Sequence, residues 1–567
     1  MNNIQARRII ESRFTVAIFA GILLALAFPR VGIAGLAWIA PGLLALAGLG
    51  TRGWESFRIG YVGGLAYYLV SLNWLLRIPY RWLGIPLGPA VGLLALSAFL
   101  AIYPGIWVWF LSGAWRKPTL SGVEASQGGG TILSWAKDTV ALENFWVVRF
   151  AWALCGAAAW VAIEMCIARF LSGFPWDLLG VSQYRMLPLI QVAAITGVYG
   201  ISFVVAWTSL SLLLAGLAIL ERPAMRYAWL SEIILPLATV SALFLFGIGR
   251  TRQTDESVRE LKVTFVQPSI PQTLIWDSEN DEARFREIID LSSKALTNKT
   301  DLLLWPEAAV PGLVLYNQDH FDALTGLARS KHVWMIVGAD DAEPKKNARR
   351  KDDLEFFNSS FLISPDGRLE ARYRKRNLVI FGEYVPLMNF LPFIKYLTPW
   401  IGGVFTPGTD PVPFVMPGLH AKTSILICFE DVFPQLAREY VSEDTDFLVN
   451  LTNNGWFGEG AAQWQHGMTA LFRAVENGLP LVRCSNNGLT CWVDRHGRIR
   501  QIFHDSQGTI YGKGIMTARI PLLQAKRPPT FYNAHGDWFG WTCVAIVLLQ
   551  VAARAAIWCK RKSSERA

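Results

Sequence analysis

The sequence predicts an α+β membrane protein: a bundle of eight transmembrane helices carrying one strand-rich polar domain. Three observations predict it. Hydrophobic residues make up 52% of the chain and charged residues only 17%, too apolar for a soluble protein of this length. Apolar runs long enough to cross a bilayer recur through the first half and return once near the C-terminus. Between them the composition shifts to short branched-apolar runs separated by amphipathic stretches, the pattern of layered sheets covered by helices.

A span needs roughly 20 mostly apolar residues. Candidates fall at 14–28, 33–50, 60–76, 86–110, 146–171, 192–219 and 229–248, with an eighth at 538–558. The first is short and follows Arg7, Arg8 and Arg13. Its end, Ala25-Leu26-Ala27, mimics a signal-peptidase site. It is read as a retained helix, because six further spans follow it. Orientation comes from Lys and Arg. With the N-terminus inside, the inside segments hold those three arginines, then Arg52 and Arg58, then Arg116, Lys117 and Lys137, then Arg222 and Arg226. The short outside loops hold Arg30, Arg77, Arg81, Arg169 and Arg185. The bias puts the polar domain on the outer side of the membrane.

The organisation expected is therefore a bundle over 1–248 with an inside insert at 115–145, a polar linker at 249–260, and the strand-rich domain over 261–527. A last span at 536–559 and a basic inside tail at 560–567 complete it. The insert carries Gly128-Gly129-Gly130 and reads as a flexible loop. In the polar domain strands are expected at 261–266, 302–304, 333–337, 359–363, 424–427, 447–450 and 481–484. Helices are expected at 280–293 and 321–328.

The composition also excludes some function classes. The net charge is +9, but no basic run is interleaved with aromatics. That charge reads as topology signal and attraction to anionic lipid rather than nucleic-acid binding. The chain has 24 tryptophans, as expected where indoles sit at membrane interfaces. Seven cysteines show no CxxC-type spacing, so no metal site is expected. No organic cofactor is implied either.

Residues 425–434, ILICFEDVFP, hold the clearest chemical signal. A buried strand runs into Cys428, and Glu430 and Asp431 follow at once. A lone cysteine is by default a small core residue. Two other segments change that reading. Leu303-Leu304-Trp305-Pro306-Glu307 ends a strand in a carboxylate, with a proline to stop the ladder. Tyr373-Arg374-Lys375 leads to Phe381-Gly382-Glu383-Tyr384-Val385-Pro386.

Together WPE, YxK…FGEYVP and ICFED resemble the nitrilase superfamily, and the match covers roughly 261–519. Further segments agree, among them NLTNNGWFG at 450–458 and FRAVENGLPLVRCSNN at 472–487. With spans on both sides, and with Phe174-Pro175-Trp176 and Thr196-Gly197-Val198-Tyr199-Gly200 in the membrane half, the whole chain resembles the bacterial apolipoprotein N-acyltransferase family. That resemblance implies a four-layer αββα sandwich and a catalytic triad of Glu307, Lys375 and Cys428. It implies acyl transfer from a phospholipid, through a Cys thioester, to the N-terminal diacylglyceryl-cysteine amine of an apolipoprotein. A monomer is expected.

The chemistry agrees with these roles. A thiol near its free pKa is only a few per cent thiolate at about neutral pH and needs a base or cation beside it. Glu307 would take the thiol proton and return one to the leaving group. Lys375 would favour thiolate and stabilise the oxyanion. Glu383 and Glu430 are candidates to hold Lys375 and tune the pair. Phe429 stands where the family usually has Tyr, Ile380 where it has Pro, and Asn454-Gly455 where it has Asp-Ala. Trp276 matches a family position associated with lipid contact. Trp456 and Asn454 lie in a segment that resembles a family loop. Both tryptophans also read as core or interfacial residues.

Several alternatives stay open at this level. A membrane-anchored amidase would discharge the same intermediate with water, and a non-catalytic receptor would not need Cys428 at all. Glu164, inside a span, is read as facing the bundle interior, a lipid headgroup or a structural partner. Cys484 and Cys491 would face each other, and could bridge, if Asn487-Gly488 formed a two-residue hairpin turn.

Overall fold

The computed structural model describes residues 3–79, 87–114, 145–221, 227, 229–253, 258–275, 277–346, 353–385, 405–523 and 527–564. The expected insert at 115–145 falls almost wholly outside these residues, as does Trp276. The chain divides into two compact units. One comprises Met1–Asn73, Ala90–Thr251 and Asp537–Ala567; the other comprises Trp74–Pro89 and Arg252–Gly536.

The first unit is helical. Among the described residues five helices are long and apolar enough to cross a membrane: Gly88–Gly113, Trp146–Ile167, Val198–Glu221, Leu230–Thr251 and Trp538–Lys560. Three of the eight expected spans do not reach that standard. The run at 14–28 supplies the apolar part of the helix Asn3–Leu26. The run at 33–50 is split into a short 3-10 turn, Ala34–Trp38, and a helix, Ala40–Gly48. Pro41 at the start of the second piece lacks the backbone donor that would continue the first. The run at 60–76 lies mostly in Trp54–Ser71, an 18-residue helix rich in Gly and Tyr. The expected span at 192–219 begins later than predicted, because Gly197, at φ +66°, ends the short helix Ala193–Thr196.

Small residues let these helices approach. A Cβ on Gly21 would lie 2.1 Å from the Gly63 carbonyl oxygen, and one on Gly63 would lie 2.9 Å from that of Ala17. Several buried polar groups inside the unit are paired. Arg149 meets Glu232 at 2.5 Å, both nearly inaccessible. Glu164 is buried and accepts from the Leu179 backbone N–H at 2.7 Å and from Trp160 Nε1 at 3.0 Å. Of the readings left open for Glu164, the interior position and the internal structural partner are the ones observed.

The second unit holds two mixed sheets. The first contains β1 (Val258–Gln267), β2 (Leu302–Leu304), β3 (Val310–Leu313), β4 (Trp334–Pro344), β5 (Leu354–Ile363), β6 (Leu369–Arg374) and β13 (Gly514–Leu523), in the order β13-β1-β2-β4-β5-β6 with β3 beside β4. The second contains β7 (Phe414–Met416), β8 (Ala421–Ile427), β9 (Phe447–Thr452), β10 (Leu481–Ser485), β11 (Cys491–Val493) and β12 (Ile499–Ile502), in the order β12-β11-β10-β9-β8-β7. Strands β1, β2 and β4 run parallel, as do β8, β9 and β10. Parallel strands of this kind are buried on both faces and read as continuous apolar runs, which is why the sequence signalled them.

The period of two sorts their side chains. Val263, Phe265, Leu304, Ile336 and Leu362 face the second sheet and share a core with Ile425, Ile427, Val449 and Val482. Val266, Leu303, Met335, Val337 and Phe361 face the other way. They pack on Phe285 and Ile288 of the helix Asp281–Ala295 and on Leu324 and Ala328 of Gln318–Lys331.

Candidate active site

The inner face of the first sheet changes character along its length. Ile336 on β4 lies opposite Leu362 on β5, which lies opposite Ala371 on β6. One step further on the same face come Gly338, Ser360 and Tyr373. One step beyond those are Asp340 and Asn358. Lys375, just past β6, completes that row, with its backbone N–H donating to the Asn358 carbonyl at 2.8 Å. The apolar core between the sheets therefore ends in a polar row of acid, amide and amine.

Glu307 reaches this row from β2. Beyond Leu304 the chain keeps hold of β4, through Trp305 N to Ile336 O and Ala309 N to Gly338 O, each 2.9 Å. Gly338 makes the close approach possible: a Cβ there would lie 2.3 Å from Pro306 O and 2.7 Å from Glu307 Cα. Gly338→Ala should cost about 1–3 kcal/mol and slow the reaction by displacing Glu307. Urea midpoints and kcat check this; wild-type values for both would show that the contact relaxes freely.

Lys375 is 1% exposed. Its Nζ donates to Glu307 Oε1 at 3.1 Å and to Glu383 Oε1 at 2.8 Å. Asn358 Nδ2 donates to the same two oxygens at 2.8 and 2.7 Å. The backbone N–H groups of Asn453 and Val379 fill the remaining oxygens of Glu307 and Glu383, each at 2.8 Å. Two carboxylates thus share one ammonium and three amide donors.

Cys428 comes from the second sheet. It follows β8 and opens a one-turn 3-10 helix, Cys428–Val432. Its φ is +51°, in the left-handed region. Its carbonyl accepts from Asn450 Nδ2 at 3.0 Å and lies 3.2 Å from His466 Nε2. His466 is in turn 2.7 Å from Asp431 Oδ1, and Arg483 donates to Asp431 Oδ2 at 2.5 Å. A fully buried charged network therefore braces the turn that carries the thiol.

Glu430 does not touch the Lys375 ammonium. It accepts from Tyr373 OH at 2.8 Å and from the backbone N–H groups of Arg376, Asn377 and Ile427 at 2.7, 3.1 and 2.7 Å. It stitches the turn bearing Cys428 to the segment bearing Lys375. Phe429 is half-buried and sets its ring edge-on to Phe433 at 5.2 Å. Asn454 is fully buried, with Oδ1 3.0 Å from His466 Nδ1. Trp456 is half-buried in the turn Asn454–Phe457.

The charges interact across this space. Burial, and then the Glu307 carboxylate, push the Cys428 thiol up to about 12, against the opposing pull of Lys375. Burial alone would lower Lys375, but Glu307, Glu383 and Cys428 outweigh it and hold its pKa well above the usual lysine range. Both shifts favour the thiol and the ammonium over the thiolate and the neutral amine. No thiolate is stored, so attack requires the proton to leave as the substrate is engaged. Among the described residues no group of three or more His, Cys, Asp or Glu is placed to hold a metal ion.

Several partners escaped the sequence reading, notably Asn358, Asn453, Asp340 and Tyr373. A trace existed for one of them: Tyr373 stands two residues before Lys375 in the YxK motif. The Cys484–Cys491 pairing is corrected. Cys491 lies opposite Arg483, not Cys484. The loop between β10 and β11 is longer than two residues, and both thiols are buried and free.

Two family models match. Residues 20–211 match the apolipoprotein N-acyltransferase N-terminal domain, and residues 262–522 match the carbon-nitrogen hydrolase domain. An apolipoprotein N-acyltransferase of Geobacter metallireducens is 35% identical over 557 residues, covering 97% of this chain and 96% of that one. The Vibrio cholerae protein of the same name is 27% identical, covering 99% of this chain and 100% of its own. Among solved structures, an amidase from Nesterenkonia sp. covers 50% of this chain and 99% of its own at 17% identity, with a TM-score of 0.36. The nitrilase-superfamily protein Nit3 of Saccharomyces cerevisiae covers 46% of this chain and 90% of its own at 20% identity, with a TM-score of 0.34. With both family models on one chain, and with a relative of that name 35% identical along nearly its whole length, the chain belongs to the apolipoprotein N-acyltransferase family.

Proposed function

We propose that this protein is a bacterial inner-membrane acyltransferase that works by a two-step, ping-pong mechanism on a Glu307–Lys375–Cys428 triad. In this reading eight spans hold an αββα catalytic domain on the periplasmic side. The donor is a phospholipid and the acceptor is the α-amine of a diacylglyceryl-cysteine at an apolipoprotein N-terminus. The observation that supports the reading best is the Lys375 ammonium, buried between Glu307 and Glu383 on the sheet face opposite the strand that delivers Cys428.

In the first step Cys428 Sγ attacks the ester carbonyl and its proton passes to Glu307. The ammonium of Lys375 meets the oxyanion of the tetrahedral intermediate. Collapse breaks the ester C–O bond, Glu307 protonates the leaving alcohol oxygen, and lysophospholipid departs from a thioester. In the second step the lipoprotein amine attacks the thioester carbonyl and gives its proton to Glu307. The C–S bond breaks, the amide forms, and the thiol regains its proton. Both substrates carry chains anchored in the bilayer. Extracting them would cost roughly 0.8 kcal/mol per CH₂ exposed, which explains a catalytic domain tethered to membrane helices at both ends of its sequence.

The test is incubation with acyl-labelled phospholipid, followed by mass analysis of the peptide containing Cys428. The expected result is an acyl adduct that persists in water and is discharged by a diacylglyceryl-cysteine peptide. Rapid discharge by water alone would make the protein an amidase-type hydrolase. No adduct would overturn the thioester mechanism.

A further inference from the structure

The polar row at the end of the first sheet carries one acid for which the mechanism has no use. Asp340 lies on β4 directly opposite Asn358 on β5, and Asn358 is next to Lys375 in the same row. Residues directly opposite on an antiparallel pair place their Cβ atoms about 4.5–5.5 Å apart on one face. Asn358 has no rotational choice. Its Nδ2 donates to the two carboxylates, so its Oδ1 must point the other way, where it is buried with no hydrogen-bond partner. A buried acceptor without a donor is costly. The side chain across the strand from it is a carboxyl, and a carboxyl can donate only while it keeps its proton.

Lys375 imposes the same condition. An ammonium has three N–H groups. Two are committed to Glu307 and Glu383, which leaves one to meet an oxyanion. A third carboxylate in the row would compete for that donor and add negative charge where the intermediate develops its own.

We propose that Asp340 is a positioning residue of the acylation step. It is held as the neutral acid in the active enzyme, donating to Asn358 Oδ1, and its ionisation switches the step off from the alkaline side. The charged groups that act on it are Glu307 from the end of β2, Glu383 beyond β6 and its own neighbour Asp341, and Lys375 stands in the same row. β3 presents Leu313 at this register. Asp341, its neighbour on β4, points to the opposite face and is paired with Arg372 at 3.0 Å and Arg374 at 2.7 Å. Burial first, then Glu307 and Glu383, push the Asp340 carboxyl up to about 7. Lys375 and Cys428 titrate far above that value.

The inference rests on the thioester mechanism, and its test separates the two. The rate of Cys428 acylation is followed by intact mass between pH 6 and 9 in the full-length protein. The donor is acyl-labelled phosphatidylglycerol in mixed micelles with no amine present. Wild type should lose about 100-fold across that range, the scale of one lost oxyanion donor. Asp340→Asn keeps a donor for Asn358 and cannot ionise. It should match wild type at pH 6 and stay flat to pH 9. Asp340→Ser, which also keeps a donor, should do the same and serves if the first variant does not fold. An unchanged alkaline fall in either variant overturns the proposal, as does a folded variant that is slow at every pH. No adduct on wild type at any pH would instead overturn the thioester mechanism itself.

Discussion

Lys375→Met will slow acyl transfer by at least about 100- to 1000-fold, the cost of removing one well-placed oxyanion donor. The expected loss exceeds that of an exposed lysine because this ammonium has two tasks. In the proposed mechanism it faces the developing oxyanion, and it is the counter-charge of Glu307 and Glu383. Met fills a similar volume, so packing is largely kept and the effect isolates the charge. Removing one partner of a buried ion pair costs about 3–5 kcal/mol, so the variant should also unfold at markedly lower urea. The pH dependence follows from the sign of the shift. Lys375 is raised above its ordinary value of 10.5. Its contribution is therefore fully present below that value and is lost only as pH climbs through the raised one. The stability deficit of the variant should stay nearly constant from pH 6 to 9 and shrink only in strong alkali. Urea titrations of detergent-solubilised protein at several pH values measure it. A variant of wild-type stability would mean the two carboxylates are not held by this amine.

The second large effect is expected at Glu430, which touches no reacting atom. Glu430→Ala strips an acceptor from Tyr373 OH and from three backbone N–H groups. An orphaned buried donor costs about 1–3 kcal/mol each, so the sum is on the order of 4 kcal/mol or more. Arg376 and Asn377 follow Lys375 directly, so their release also loosens the ammonium. Activity should fall together with stability, and Glu430→Gln, which retains one carbonyl acceptor, should recover part of both. Equal losses for Ala and Gln would mean that the negative charge matters rather than the four hydrogen bonds.

The sequence marked the three groups of the proposed triad and concealed their supports, for a physical reason. Glu307, Lys375 and Cys428 each stand where an apolar strand ends, so each is marked by a local change of pattern. Asn358 and Asp340 matter only because β4 and β5 pair in one register, which no local run of residues reveals. The same blindness to register misplaced Cys491 opposite Cys484, when its partner across the strands is Arg483. In the membrane half, apolar length was legible and helix continuity was not. Pro41 and Gly197 interrupt runs whose hydropathy alone is uniform.

Cys428 occupies a backbone conformation that glycine adopts freely and that other residues reach at a cost of about 1–2 kcal/mol. Folding and chemistry therefore pull this position in opposite directions. A glycine here would ease the turn between β8 and Glu430 while removing the sulfur, so the inert chain would be the more robust one. The same turn leaves the thiol within electrostatic reach of Glu307 and Lys375, which extend from strands of the other sheet.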